Sequence, residues 1–406
     1  MSLLQDKIYL LKGKVQHYAW GGFDFIPHWL NTNNEEHKPY AEYWMGAHPS
    51  ASSEIVTESG NKELYNLIKE NPGEFIGEKV NNQFGELPYL FKILDVHEML
   101  SIQVHPSKKE AAKGFDVEDA AGVDIKAPHR NYKDKNHKPE VMVALSEFWL
   151  LHGFLQKEKL TQVLDAVPAF AGFREIFEVE GYKGLYKHVM EMPQQEVDVL
   201  LKPLVQLELE RKQNNQLNKS QPGWWVAKLF ANEKEINNID RGVFSIYFFN
   251  IVNAEPGEAV FQAAGVPHAY LEGQNVELMA NSDNVLRGGL TPKHVDVPEL
   301  LKHTIFEGID PNIMRGEVLA NGEKNYPCPV PDFGINVIQV NNNKKIEATS
   351  DSLEIIVVLD GEVQIEGTGK TLSVSKGQAV AILPGENYSI TSSGSGLAYK
   401  AFVPEI

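Results

Sequence analysis

The sequence predicts a mainly β fold with a helical insertion, built as two jelly-roll β-barrels plus an α-helical domain, on three observations. From residue 331 onward, strand-like runs at Leu353–Leu359, Glu362–Ile365, Gln378–Leu383 and Leu397–Phe402 alternate with Asp360-Gly361, Gly367–Gly369 and Pro384-Gly385, the turns of short antiparallel strands. Between residues 156 and 238 the apolar period becomes helical, with Val197, Leu200, Leu201, Leu204, Val205 and Leu207 on one stripe. Third, Pro256–Tyr270 aligns with Lys376–Ile390 at a constant offset: Gly257 with Gly377, Ala259 with Ala379, Val260 with Val380, Gly265 with Gly385, and His268 opposite Tyr388. Two related barrels account for this repeat, only the first keeping a histidine. Chance similarity of two strand–turn–strand units is the alternative.

Taken in order, residues 1–150 mix apolar runs such as Tyr89–Leu94 with turn-rich stretches, and Met99–Val104 and Val141–Leu145 read as buried strands. The polar segment Pro106–Pro139 carries either short helices or a long functional loop. In the helical block, Pro203 is expected to kink or split its helix, residues 211–222 form a polar loop, and the block is expected to cover the mouth of the site. Strand character returns at Phe244–Val252. The expected domains are residues 1–152 with 239–330 as a discontinuous catalytic unit, 153–238 as the helical domain, and 331–406 as a metal-free C-terminal domain.

The formal charge is −17 over 406 residues, which excludes non-specific nucleic-acid binding while leaving room for a local basic pocket. A single cysteine, Cys328, excludes a disulfide framework and a Cys-rich zinc module. The first residues have too short an apolar run for a secretory signal, and no stretch approaches the roughly 18 apolar residues of a membrane span. A cytoplasmic, monomeric protein is expected.

Four elements carry chemistry. In Ser101-Ile-Gln-Val-His-Pro106, the period of a strand points Gln103 and His105 to one face. In Asn136-His-Lys-Pro-Glu140, Pro139 holds the backbone extended and Glu140 opens an apolar strand, where a carboxylate needs a cation or a metal. Lys138 beside it is either solvated or a binder of a substrate anion. In Gly265-Val-Pro-His-Ala-Tyr270, His268 and Tyr270 share a face. Together these offer one amide oxygen, two imidazoles and one carboxylate, a set suited to Zn²⁺ or Fe²⁺. The fourth, Val276–Lys293, places Arg287 before Gly288-Gly289 and Lys293 after them, a pairing that suits phosphate or else an ordinary surface turn. Gly367-Thr-Gly-Lys-Thr371 only echoes a phosphate-binding loop, because Gln364 stands where the first glycine belongs.

In combination, Gln16–Gly21, Ala41–Pro49, Leu87–Leu94, Leu100–Pro106, Arg130–Glu140, Pro267–Tyr270 and Met279–Lys293 resemble, in order, the motifs of type I phosphomannose isomerases, metal-dependent members of the cupin group. The resemblance implies a reversible conversion of mannose 6-phosphate to fructose 6-phosphate through an enediol. It implies one Zn²⁺ per chain on Gln103, His105, Glu140 and His268. It also implies Arg287 as the catalytic arginine, and Ser101, Lys138, Tyr270, Glu277, Asp283 and Lys293 around the sugar phosphate. His17 and Gly288 depart mildly from the family pattern. The general base stays open among Glu277, Asp283, Lys138 and a metal-bound water. A two-histidine, one-carboxylate iron dioxygenase and a non-catalytic sugar-phosphate-binding protein are the competing readings.

Overall fold

Long β-branched and aromatic runs in this chain leave little choice but buried sheet, and the computed structural model, which describes residues 6–341 and 344–404, is mostly antiparallel sheet with several helices. Its strands form sheets of twelve and eleven members. The eleven-stranded sheet is organised around the 13-residue His268–Ala280 strand. The C-terminal half of that strand pairs with Tyr89–Val96 and Glu140–Ala144, and its N-terminal half pairs with Gln103–Val104 and Phe148–Phe154. One strand thus threads four neighbours that come from distant parts of the sequence.

Period two divides each strand of this sheet between its faces. One face carries Leu94, Val96, Met142, Ala144, Leu150, Val260 and Tyr270 as an apolar floor, with the buried Asn275 amide set between Leu94 and Ala144. Continuing the same alternation along the same strands places Lys92, Glu140, His152, Gln262 and His268 beyond that floor, all buried. The reverse face carries Ile102, Val104, Ala269, Leu271 and Leu286, which share one core with the helices of residues 157–229. The helical block was expected at the mouth of the site; its apolar core packs on the reverse face of these strands.

Several local expectations change. The strand expected over Met99–Val104 shrinks to Gln103–Val104, and the Pro106–Pro139 segment opens with a helix, Lys108–Ala120, capped by Ser107. Pro203 does not split its helix, which runs Gln194–Gln213; the break in helical geometry falls instead at Gly181, at φ 66° in the preceding helix. Of the apolar run Phe244–Val252, the first part belongs to a helix, Gly242–Phe248, and only Phe249–Ala254 is strand. In this short run the two polar residues, Ser245 and Asn250, fall five apart and set no clear period from which to tell the two apart. Asp360-Gly361 is not a turn: Glu354–Gly367 is one strand whose register shifts between Val358 and Asp360, with Gly361 at φ 70°.

The twelve-stranded sheet holds most of the C-terminal strands and also takes in Ile8–Lys12, which pairs with Ala379–Ile382. A charged cluster is buried here. Lys400 Nζ lies 2.8 Å from Glu323 and 3.8 Å from Glu354, and the Tyr388 hydroxyl donates to Glu354 at 2.5 Å. Burial, partly offset by Lys400 and Tyr388, moves the Glu354 carboxyl from its ordinary 4.5 up to about 7. The native state therefore holds that proton more tightly than the unfolded chain does. Its stabilisation is complete below about pH 4.5 and is lost as pH rises through about 7, an effect on the order of 3 kcal/mol. Glu354→Gln should flatten the slope of stability across this window, as read by denaturant melts from about pH 5 to about pH 8.

Candidate metal and sugar-phosphate site

Two loops are tied together before any ligand side chain is placed. The Asn284 amide accepts from the backbone N–H groups of Lys133 and Asp134 and donates to the carbonyls of Asp134 and Asn136. This holds the segment that enters Glu140 against the loop that follows the His268–Ala280 strand. The Asn284 carbonyl then accepts from His105 Nδ1 at 2.8 Å. Gly265 links the two histidines: its N–H donates to the His105 carbonyl at 2.9 Å, at φ 82°. A Cβ there would sit 2.8 Å from Ile305 and 2.9 Å from the His303 carbonyl, so glycine is required.

His105, Glu140 and His268 come together as a buried group whose ligand atoms all lie within 4.8 Å of one another. His105 Nε2 is 3.5 Å and His268 Nε2 3.3 Å from the two oxygens of Glu140. Each imidazole gives its Nδ1 proton to a backbone carbonyl, His105 to Asn284 and His268 to Val266 at 2.9 Å. That bond fixes the tautomer and turns an Nε2 lone pair inward. Both Nε2 atoms are buried without a hydrogen-bond partner. Two orphaned imidazole nitrogens facing one carboxylate fit a divalent cation of borderline softness. Burial pushes His105 well below its usual range, keeping it a neutral donor. Burial alone would raise Glu140, but Lys138, 2.6 Å away, and the imidazoles overcome it and hold the carboxylate charged.

The strand ladder places the other expected residues. Gln103 lies directly between His268 and Arg287 in register, so amide, imidazole and guanidinium form one row across three strands. Arg287 is half-buried, burial lowers its pKa, and among the described residues no hydrogen bond or ion pair engages its guanidinium. Lys293 is exposed; partial burial and then the charge of Arg287 lower its ammonium, which marks the two as neighbours. Ser101 is half-buried just before Gln103. Tyr270 is buried, its phenol pushed up by burial and then by Glu277. Asp283 stands apart, more than half exposed, 3.3 Å from His48, whose hydrogen bond holds its carboxyl down. It lines a cavity of about 990 Å³ together with His48, Lys133 and Asp134, and the three clustered ligands are not on that wall.

Lys92 and Glu42 were absent from the expected site, yet Lys92 Nζ lies 3.1 Å from Glu277 and 3.4 Å from Glu42, with all three buried. Despite burial, the neighbouring carboxylates hold Lys92 protonated. Burial raises Glu277, with Lys92 acting against it. The available signal was a lysine inside the apolar run Tyr89–Leu94, a charge that no solvated face could explain.

Known proteins resemble this chain in sequence and in fold. The profile of the type I phosphomannose isomerase catalytic domain matches residues 8–157. Mannose-6-phosphate isomerase of Escherichia coli is 35% identical over 398 residues, covering 97% of this chain and 98% of that protein. The protein of the same name from Mus musculus is 33% identical over 89% of each chain. A crystal structure of a point mutant of phosphomannose isomerase from Salmonella typhimurium superposes with a TM-score of 0.88 at 32% identity, over 98% of this chain and 100% of that one. A zinc-bound holo structure of mannose 6-phosphate isomerase does so at 0.86 and 33%, with the same coverage. By sequence over nearly its whole length and by fold, the chain belongs to the type I phosphomannose isomerase family.

Proposed function

We infer that the protein is a zinc-dependent mannose-6-phosphate isomerase, interconverting mannose 6-phosphate and fructose 6-phosphate. The observation that carries this is the buried His105–Glu140–His268 group, whose two imidazole Nε2 atoms have no hydrogen-bond partner among the described residues, in register with a guanidinium that none of those residues pairs. His105, Glu140 and His268, with Gln103 beside them, would hold one zinc ion per chain. When bound, zinc supplies Lewis-acid polarisation of substrate oxygens.

The chain's own groups account for the rest of the reaction. Aldose and ketose interconvert once the ring opens and a proton passes between C1 and C2 through an enediol. Arg287 offsets the negative charge that develops on the enediolate. Ser101 and Lys293 anchor the phosphate, so that binding far from the reacting carbons orients them. Lys138 and Tyr270 line the sugar, with Asp283 at its edge. Glu277 is the favoured base for the carbon-bound proton: burial raises its basicity, whereas Asp283 is exposed and held down by His48. Lys92 supplies Glu277 with its counter-charge.

This reading divides the chain into a catalytic unit of residues 1–152 and 239–330, a helical unit of 153–238, and a metal-free C-terminal unit of 331–406, with jelly-roll barrels as the two β units. The protein acts as a cytoplasmic monomer on a small sugar phosphate. The single cysteine accords with a reducing compartment; among the described residues no helix is long and apolar enough to cross a membrane. Purified protein supplied with zinc should produce fructose 6-phosphate from mannose 6-phosphate and exchange the C2 hydrogen with solvent. Tight binding of the sugar phosphate without turnover would overturn the enzymatic reading.

A further inference from the structure

Beside the candidate ligand group lies an imidazole–amide pair, His152 and Gln262, that the proposed reaction leaves without a task. His152 is directly across the ladder from His268, and Gln262 is directly across from Glu140. Residues opposite one another in an antiparallel ladder present their side chains to the same face, with Cβ atoms about 5 Å apart. The ligand pair Glu140–His268 therefore has a shadow, Gln262–His152, one strand further out on each side. The shadow pair is bonded: His152 Nδ1 and Gln262 Oε1 are 2.7 Å apart. His152 is 5% exposed and Gln262 is wholly buried.

Gln262 has two ends, and only one is used. With Oε1 held by His152, Nε2 is a fully buried donor without a partner among the described residues. Leaving such a group unsatisfied costs about 1–3 kcal/mol, so its persistence in the core calls for an acceptor in the working state. The apolar floor next to it, Val260 and Met142, offers none. The acceptor directly across the ladder is the Glu140 carboxylate, which in this arrangement accepts from Lys138 and has the two imidazole Nε2 atoms 3.5 and 3.3 Å away.

We propose that Gln262 and His152 are positioning residues for the metal centre: His152 fixes the amide by its oxygen, and the amide nitrogen donates to Glu140 when the carboxylate holds the metal. A carboxylate ligand bonded on its outer side keeps one orientation, which favours capture of the ion. The inference rests on the zinc reading above and concerns residues outside its ligand set.

The test uses Gln262→Met, which keeps the volume and removes the donor, and His152→Phe, which keeps a buried ring and frees the amide to turn. Zinc affinity is measured by competition with a chromophoric chelator, the centre is read by visible absorption after cobalt substitution, and fold integrity by melting of the metal-free protein. Gln262→Met is expected to bind zinc about 10–100-fold more weakly and to shift the cobalt bands while the metal-free protein melts as a folded domain. His152→Phe is expected to show a smaller loss in the same direction. Wild-type affinity and an unchanged cobalt spectrum in Gln262→Met overturn the proposal. If that variant does not fold, the same two readouts on His152→Phe decide it. Failure of the wild-type protein to bind zinc at all would instead overturn the zinc reading, so the two failures are distinguishable.

Discussion

Arg287→Ala should lower kcat for mannose 6-phosphate by about 10²–10³-fold while zinc content and melting temperature stay at wild-type levels. The reasoning is structural. Arg287 sits one register step from Gln103 and two from His268, yet it forms no ion pair with any described residue. Removing it breaks no bond that holds the fold, so the loss falls on whatever charge it meets during turnover. A guanidinium aimed at charge that develops only in the transition state costs kcat more than KM when lost. Lys293, exposed and further from the ligands in sequence, should behave oppositely on truncation, with KM rising and kcat nearly kept. Full turnover in Arg287→Ala would sink the assignment.

Glu140→Ala should abolish zinc retention and activity together, and should also destabilise the protein by about 3–5 kcal/mol. Two separate debts are involved. The first is a ligand: without the carboxylate, two neutral imidazoles and an amide hold a divalent cation poorly. The second is Lys138, 9% exposed and bonded to Glu140 at 2.6 Å, which is left as a buried cation without its partner. A double variant, Glu140→Ala with Lys138→Met, separates them. Melting should recover towards wild type while zinc content, measured by atomic absorption, stays near zero. Recovery of zinc in the double variant would show that the carboxylate is not a ligand.

The candidate ligand set was readable as chemistry but not as geometry. Gln103 and His105 fall two apart in a strand motif, Glu140 opens an apolar run, and His268 follows a Gly–Val–Pro turn; each is a local pattern. That three of them meet within 4.8 Å depends on the His268–Ala280 strand pairing with different partners along its two halves, a long-range choice that no window of sequence contains. Lys92 shows the same limit from the other side. A lysine inside an apolar run is a visible anomaly, but its partners Glu42 and Glu277 lie on strands 50 and 185 residues away. The Phe244–Val252 run failed for a third reason, since a mostly apolar stretch with only Ser245 and Asn250 to mark a face carries too little period to separate helix from strand.

Order and residue type alone were enough for a mainly β chain with a helical block, and for the candidate nitrogen and oxygen donors His105, Glu140 and His268, in a molecule of net charge −17. These follow from local period, from turn chemistry and from which side chains can bind what. Tertiary structure alone decided that the helical block packs on the reverse face of the strands that carry the candidate ligands. It also decided that the first strand joins the C-terminal sheet, and that Gln262 and His152 stand beside Glu140 and His268. The physical reason is register: a side chain's face is set by its own strand, but its neighbour is set by whichever distant strand pairs with it.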